Sequence, residues 1–148
     1  MSDQAVLRDP LSPPFDTKVA IAVRDDLVPW QQLNVTAFLS AGIAAAHPHL
    51  VGQRYADRDA TPYLALLGIP VLVFEASGEV LTSARDRAVP RGIPLAVYTR
   101  EMFATGYDAA NRPAVAAVLS AELDLVGLAL HGPKNAVDKV IKSARLHP

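Results

Sequence analysis

The sequence contains no cysteine among its 148 residues. Disulfide bonds, zinc–thiolate sites and catalysis by a thiol are therefore excluded. No apolar run approaches the roughly 20 residues that are needed to span a bilayer. The N-terminus carries Asp3 and Asp9 and lacks the basic and apolar regions of a signal peptide. These absences predict a cytoplasmic protein with no membrane partner.

An excess of charge of either sign is also missing. The chain has 14 lysine and arginine residues against 15 acidic residues, so its formal net charge is -1. A balance of this kind gives no electrostatic reason to expect strong binding to nucleic acid. A local basic patch stays possible on this ground, because the net charge says nothing about how charges are distributed.

Familiar cofactor and catalytic motifs are absent as well. The chain has no P-loop, no dinucleotide-binding glycine fingerprint and no G-x-S-x-G nucleophile elbow. His47 and His49 flank a proline and therefore lack the four-residue helical spacing of many metal-binding pairs. We interpret them as surface histidines, and we expect neither a metal nor a cofactor.

Short apolar runs alternate with amphipathic segments along the chain. Short apolar runs without internal charges are typical of strands that are covered on both faces. The order of the predicted strands and helices along the chain indicates one three-layer α/β domain over residues 18–148. A flexible N-terminal arm of residues 1–17 is predicted to precede it. Strands are predicted over residues 18–23, 70–74, 94–98 and 124–130, and helices from residue 29, over residues 79–89 and from residue 132.

The first predicted helix is apolar over most of its surface. It begins at Pro29, whose missing N–H costs nothing in a first helical turn. Four apolar residues recur along it at close to helical spacing, and this spacing predicts that they face the core. These residues are Leu33, Ala37, Ala41 and Ala44.

Ligands of open α/β sheets bind beyond the carboxyl ends of the parallel strands. In this chain those ends correspond to residues 24–26, 75–77 and 98–101. The long connection that follows Thr99 is placed to cover them, and ordered loops of that length often carry function. The sequence therefore predicts the position of a site, but not its reaction.

The corner after the first strand supplies the first candidates. Arg24, Asp25 and Asp26 could bind a polar ligand or activate a water molecule, or they could form a local salt bridge at the helix start. Trp30 could stack on a base or a sugar, or it could make a packing or dimer contact. Asn34 shares its helix face with Trp30, although its side chain could simply bond to neighbouring backbone.

The end of the third predicted strand supplies the other candidates. Tyr98, Thr99 and Glu101 lie at the expected cleft, and Glu101 is the clearest candidate for a general base. Thr105 belongs to the covering connection and is interpreted either as a turn residue or as a ligand contact.

Three segments of the chain resemble the type 2 peptidyl-tRNA hydrolases: KVAIAVRDDL with its Ala-rich helix, RGIPLAVYT and ALHGPKNAVDKVIKSARL. Two stretches, RDDLVPWQQLNVTAF and ELDLVGLALHGPKNAVDKV, are similar to an uncharacterised family, domain of unknown function 2000, which is grouped with those hydrolases by fold. The resemblance covers roughly residues 18–147. It implies a mixed, mainly parallel four-stranded sheet between helices, and a homodimer.

The chain departs from the hydrolases where their catalytic groups are expected. Residues 30–33, WQQL, replace a Gly-Lys pair at the start of the first helix. Residues 99–103, TREMF, stand where the hydrolases have an Asp-Ala-Gly-x-Thr segment. Only the positions of Arg24 and Asp26 match at the first corner. The resemblance therefore implies the fold without the usual catalytic set.

Three hypotheses follow. The first is a binding module for an unknown small molecule or a macromolecule. The second is an active hydrolase that cleaves peptidyl-tRNA or a related ester, with Asp26, Thr99 or Glu101 as catalytic residues. The third is a binder of a tRNA-like ligand that has kept the docking surface and lost the chemistry.

Overall fold

The computed structural model of the protein describes residues 15–148. Most of the predicted N-terminal arm, residues 1–14, lies outside this range. Seven strands are present in it: β1 Thr17–Arg24, β2 Tyr55–Ala56, β3 Pro62–Tyr63, β4 Val71–Ala76, β5 Ala96–Thr99, β6 Leu125–Pro133 and β7 Arg145–Leu146. The α-helices are α1 Pro29–Ala46, α2 Gly78–Ala88, α3 Met102–Thr105, α4 Asp108–Ala116 and α5 Lys134–Val140.

The central sheet has five strands in the order β5-β6-β1-β4-β7. The expectation of four strands was wrong, because the two-residue strand β7 pairs with the outer side of β4. Two residues are too few to show an alternating pattern in the sequence. The β1–β4 pairing is parallel and the other three neighbouring pairs are antiparallel. The sheet is thus mixed, and its pairings are mainly antiparallel rather than mainly parallel.

The strand order brings four chain positions to one edge of the sheet. β1, β4 and β5 point in the same direction and end there, whereas the antiparallel strand β6 begins there. Arg24, Ala76 and Thr99 are the last residues of the three parallel strands, and Leu125 is the first of β6. Residues that are distant in the sequence therefore meet at this edge.

Helices cover both faces of the sheet. α1 packs on one face through Val35, Leu39 and Ile43. α2 and α5 pack on the other face, where Leu81 of α2 and Val137 of α5 are fully buried. The three predicted layers, α/β/α, are therefore present. No helix among residues 15–148 is both long enough and apolar enough to cross a membrane.

The inward face of α1 differs from the predicted one. Leu33 is 72% exposed, and Ala37 and Ala41 are exposed as well. The helix is apolar almost all round, so periodicity in the sequence could not identify the buried side. The sheet selects it instead: Gly127 of β6 has no side chain, and Val35 occupies the space where a Cβ atom would otherwise lie.

Candidate functional site

A ring of four charged residues occupies the edge where the parallel strands end. Arg24 Nη1 lies 2.8 Å from Asp124 Oδ1, and its Nη2 lies 3.3 Å from Asp26 Oδ2. Arg100 closes the ring, with Nε 3.0 Å from Asp124 Oδ2 and Nη2 3.3 Å from Asp26 Oδ2. Each guanidinium thus bridges both carboxylates. Arg24 also donates to the Leu125 carbonyl oxygen at 2.9 Å.

The ring stabilises the charged forms of Asp124 and Arg24. Partial burial raises the pKa of Asp124, but hydrogen bonds from Arg24 and Arg100 outweigh it and hold that pKa below its ordinary value. Burial likewise lowers the pKa of Arg24, and the neighbouring Asp124 and Asp26 more than compensate, so the net pKa is raised. The ring can fix the ends of β1, β5 and β6 to one another. Each of its two carboxylates is paired with both guanidinium groups.

The remaining strand-end candidates lie apart from the ring. Asp25 faces β4, where its carboxylate is 3.7 Å from Arg145, which also binds Glu75 at 2.7 Å. The Thr99 hydroxyl belongs to a side chain that is 1% exposed, and no described residue bonds to it. Glu101 is exposed, and within residues 15–148 no ion pair or side-chain hydrogen bond includes its carboxylate.

A cavity of about 750 Å³ opens between α1, β5 and the α3–α4 segment. Aromatic side chains make a continuous wall along it. The Trp30 and Phe103 ring centroids are 6.0 Å apart, those of Phe103 and Tyr98 are 5.2 Å apart, and those of Tyr98 and Phe38 are 5.9 Å apart. The first pair is edge-to-face and the other two are tilted, at centroid distances at which aromatic rings attract one another. Burial raises the pKa of the Tyr98 phenol, so this side of the cavity stays uncharged.

Few polar side chains line the same cavity. Asn34 projects from α1, and Asn111 projects from α4 on the opposite wall. Asp108 and Arg112 form an exposed ion pair at the rim. The Thr105 hydroxyl contacts Asn111 and also lies 3.1 Å from the Met102 carbonyl oxygen, so it ties α3 to α4. The cavity is thus an apolar, aromatic space with two amide groups.

The structure divides the predicted site residues into separate groups. Trp30, Asn34 and Tyr98 line the cavity, and Thr105 supports its wall through Asn111. Arg24 and Asp26 belong to the charged ring instead, while Asp25, Thr99 and Glu101 belong to neither group. Sequence reasoning missed four contributors. Asp124 begins a predicted strand and Arg100 follows another by two residues, so both could have been found. Phe38 and Phe103 gave no signal beyond apolar character.

The predicted surface histidines are not isolated from one another. The ring centroids of His47 and His131 are 4.8 Å apart, and those of His49 and His131 are 6.2 Å apart. His131 Nε2 also lies 2.9 Å from the Thr17 hydroxyl. Nevertheless, in the described part of the chain no group of three histidine or acidic residues is disposed to hold a metal ion.

Comparison with known proteins defines the class of this chain. The family described as "Protein of unknown function (DUF2000)" matches residues 17–148, and the chain belongs to that family. It is similar to a solved structure, the protein of unknown function Atu0240 from Agrobacterium tumefaciens strain C58. The two are 42% identical with a TM-score of 0.88, over 90% of this chain and 99% of the other. No curated protein matches the chain.

Proposed function

We propose that this chain is a binding module for a small apolar, aromatic ligand, held in the cavity between α1, β5 and α4. The aromatic wall of Trp30, Phe103, Tyr98 and Phe38 is the observation that carries the proposal. Ligand pockets typically have volumes of about 300–1,000 Å³, are mostly apolar and contain few polar groups. The cavity has each of these properties.

A type 2 peptidyl-tRNA hydrolase-like fold is part of the same proposal. The three stretches that resemble those hydrolases coincide with β1–α1, with β5 and with β6–α5. These elements contain the two pairings that join β5, β6 and β1, together with one helix on each face of the sheet. The proposal does not extend to the hydrolase reaction.

Ester hydrolysis at the strand ends receives little support from the side chains there. Asp26 is paired with two arginines, and a general base needs a lone pair that is free to accept a proton. The Thr99 side chain is buried away from any substrate. Glu101 is accessible and is not paired with an arginine, but within residues 15–148 no second side chain is bonded to it to orient or activate it. Binding is therefore the function that we favour.

We also propose a homodimer that forms through the outer side of α1. Leu33, Ala37 and Ala41 are exposed and make one apolar stripe at four-residue spacing. Small residues allow a second helix to approach closely, and the bulky Leu33 at one end gives apolar area to bury. The stripe lies beside the cavity, because Phe38 of the same helix lines it.

Fluorescence titration tests the binding function directly. Trp30 is the sole tryptophan of the chain and lines the cavity, so it transfers energy to a nearby dye. We expect 8-anilinonaphthalene-1-sulfonate to bind saturably and to quench the Trp30 emission. Ala116→Phe, which adds a phenyl ring at the cavity wall, should weaken this binding at least about tenfold through lost volume and steric overlap.

Ala117→Phe is the matched control, because Ala117 is exposed on the neighbouring position but does not line the cavity. It should bind the dye as the unaltered protein does. Far-ultraviolet circular dichroism checks that both variants are folded. Equal dye affinity in the two variants, or no saturable binding to the unaltered protein, would contradict the proposed function.

A further inference from the structure

β5 is an edge strand, and its free edge borders the cavity. Among residues 15–148 it pairs with β6 alone, and Ala96, Val97 and Tyr98 all line the cavity. Ala96 and Tyr98 pack with the α1 face of the sheet, whereas the Val97 side chain packs on the opposite face with the α2–α5 core. Val97 therefore reaches the cavity through its backbone.

The direction of the Val97 backbone groups follows from its neighbours, because hydrogen-bond direction alternates along a strand. The N–H of Thr99, two residues further on, leaves the sheet and donates to Met102 Sδ at 3.3 Å. The N–H of Arg100 turns the other way and donates to the Asp124 carbonyl oxygen on the β6 side. The pairing shifts register between Tyr98 and Thr99, but the residue that is skipped, Val126, belongs to β6 and not to β5. Val97 therefore shares the outward direction of Thr99.

An independent path through the sheet leads to the same orientation. The N–H of Asp25, the residue after β1, donates to the Ala76 carbonyl oxygen of β4. Ala22 lies three residues earlier, so its backbone groups are directed the opposite way, to β6. Leu128 is the partner of Ala22, and its backbone groups are directed to β1. Val97 is opposite Leu128 on the other side of β6 and receives no bond from it.

The Val97 N–H and carbonyl oxygen therefore form an outward donor–acceptor pair. Within residues 15–148, no turn, loop or side-chain hydrogen bond includes either group. The free edge of a sheet presents N–H and carbonyl groups that can pair with another molecule. A pair of this kind at the wall of an aromatic cavity is suited to a ligand that satisfies both groups.

We propose that the ligand is a planar ring that carries a hydrogen-bond donor and an acceptor side by side on one edge, as a cyclic amide or an aminopyridine does. The ring lies along the aromatic wall, and its polar edge pairs with the Val97 N–H and carbonyl oxygen. This inference rests on the proposed function, because it names the ligand class of the same cavity.

A peptide that adds to the sheet as a sixth strand fits the edge less well. Strand addition needs several outward residues in succession, because its affinity comes from repeated main-chain bonds. The Thr99 N–H is already bonded to Met102, and Leu95, the next outward residue on the other side, does not line the cavity. Within the cavity, Val97 thus offers one donor–acceptor pair, which matches the polar edge of a single ring.

Two probes that differ in one group test the inference. Quinolin-2(1H)-one has the adjacent N–H and carbonyl groups, whereas in 1-methylquinolin-2(1H)-one a methyl group replaces the donor hydrogen. We expect the first to displace the dye from the cavity at a concentration at least about tenfold lower than the second, because the second leaves the Val97 carbonyl oxygen unpaired. In ¹⁵N–¹H spectra, the Val97 amide signal should shift with the first probe.

A backbone substitution gives a second test of the donor on the protein side. Val97→Pro removes the N–H, and proline is tolerated where the N–H of an edge strand faces outward. It should weaken quinolinone binding at least about tenfold, while Val97→Ala, which keeps the N–H, should retain the difference between the two probes.

The outcomes separate this inference from the proposed function. Dye binding with equal affinities for the two quinolinones would overturn the ligand class but leave the binding function standing. The ligand class would also be overturned, and the binding function would stand, if the extended peptide acetyl-Val-Val-Val-amide displaced the dye and the quinolinones did not. The ligand comparison decides the question even if Val97→Pro fails to fold, because it uses the unaltered protein.

Discussion

Replacement of Gly127 by alanine tests how the sheet positions α1. A Cβ atom at this position would overlap Val35 Cγ1 and would lie 3.0 Å from Leu39 Cδ1. Overpacking of a filled core costs about 1–3 kcal/mol. The alanine also restricts the unfolded chain, and this effect returns about 0.4–1 kcal/mol. We therefore expect a net loss of about 1–2 kcal/mol in the free energy of unfolding.

Gly132→Ala is the matched control, because Gly132 lies in the same buried strand. A Cβ atom there meets only Val137 Cγ2 at 3.6 Å, an ordinary van der Waals contact. Urea unfolding, followed by circular dichroism, measures both variants. The slope of the free energy against urea concentration should stay constant, since the change affects packing rather than the surface exposed on unfolding.

A double variant identifies the cause of the destabilisation. Val35→Ala alone should cost about 2 kcal/mol, because it leaves a cavity in the core. In the double variant, the methyl group of Gly127→Ala partly fills that cavity. The loss in free energy of unfolding of the double variant should therefore be about 1 kcal/mol smaller than the sum of the losses of the two single variants. Additive effects, or a Gly127→Ala variant as stable as Gly132→Ala, would refute the reasoning about this contact.

Three further predictions concern charge, pH and assembly. Asp124→Asn should lower the free energy of unfolding by about 1 kcal/mol, a value reduced because the side chain is partly exposed. In the same urea unfolding assay, Asp108→Asn at an exposed ion pair should change it by less than about 0.5 kcal/mol. Burial, together with the charges of two neighbouring histidines, lowers the pKa of His131. The unfolded state then binds more protons, so stability falls as the pH drops from about 6.5 toward that lowered pKa, and His131→Gln should flatten this dependence in pH-resolved melting. Leu33→Glu should shift the protein toward monomer in analytical ultracentrifugation; an unchanged mass would contradict the proposed α1 interface.

Much of the architecture follows from the sequence by itself. Apolar runs without charge can only be stable when both sides are covered, so β1, β4, β5 and β6 could be predicted from residue types. The start of α1 was also predictable, because Pro29 suits a first helical turn and little else nearby does. Trp30, Asn34 and Tyr98 were recognisable as candidates because they are polar or aromatic groups at element boundaries or within an apolar helix.

The tertiary structure alone decided which residues meet. β6 inserts between β1 and β5, so Asp124 lies against Arg24 although 100 residues separate them in the chain. The buried side of α1 depended on the missing side chain of Gly127, since a helix that is apolar all round has no preferred face of its own. The outward Val97 backbone groups are likewise free because none of the described strands pairs with β5 on that side. Strand order is a property of long-range packing that local residue patterns do not encode.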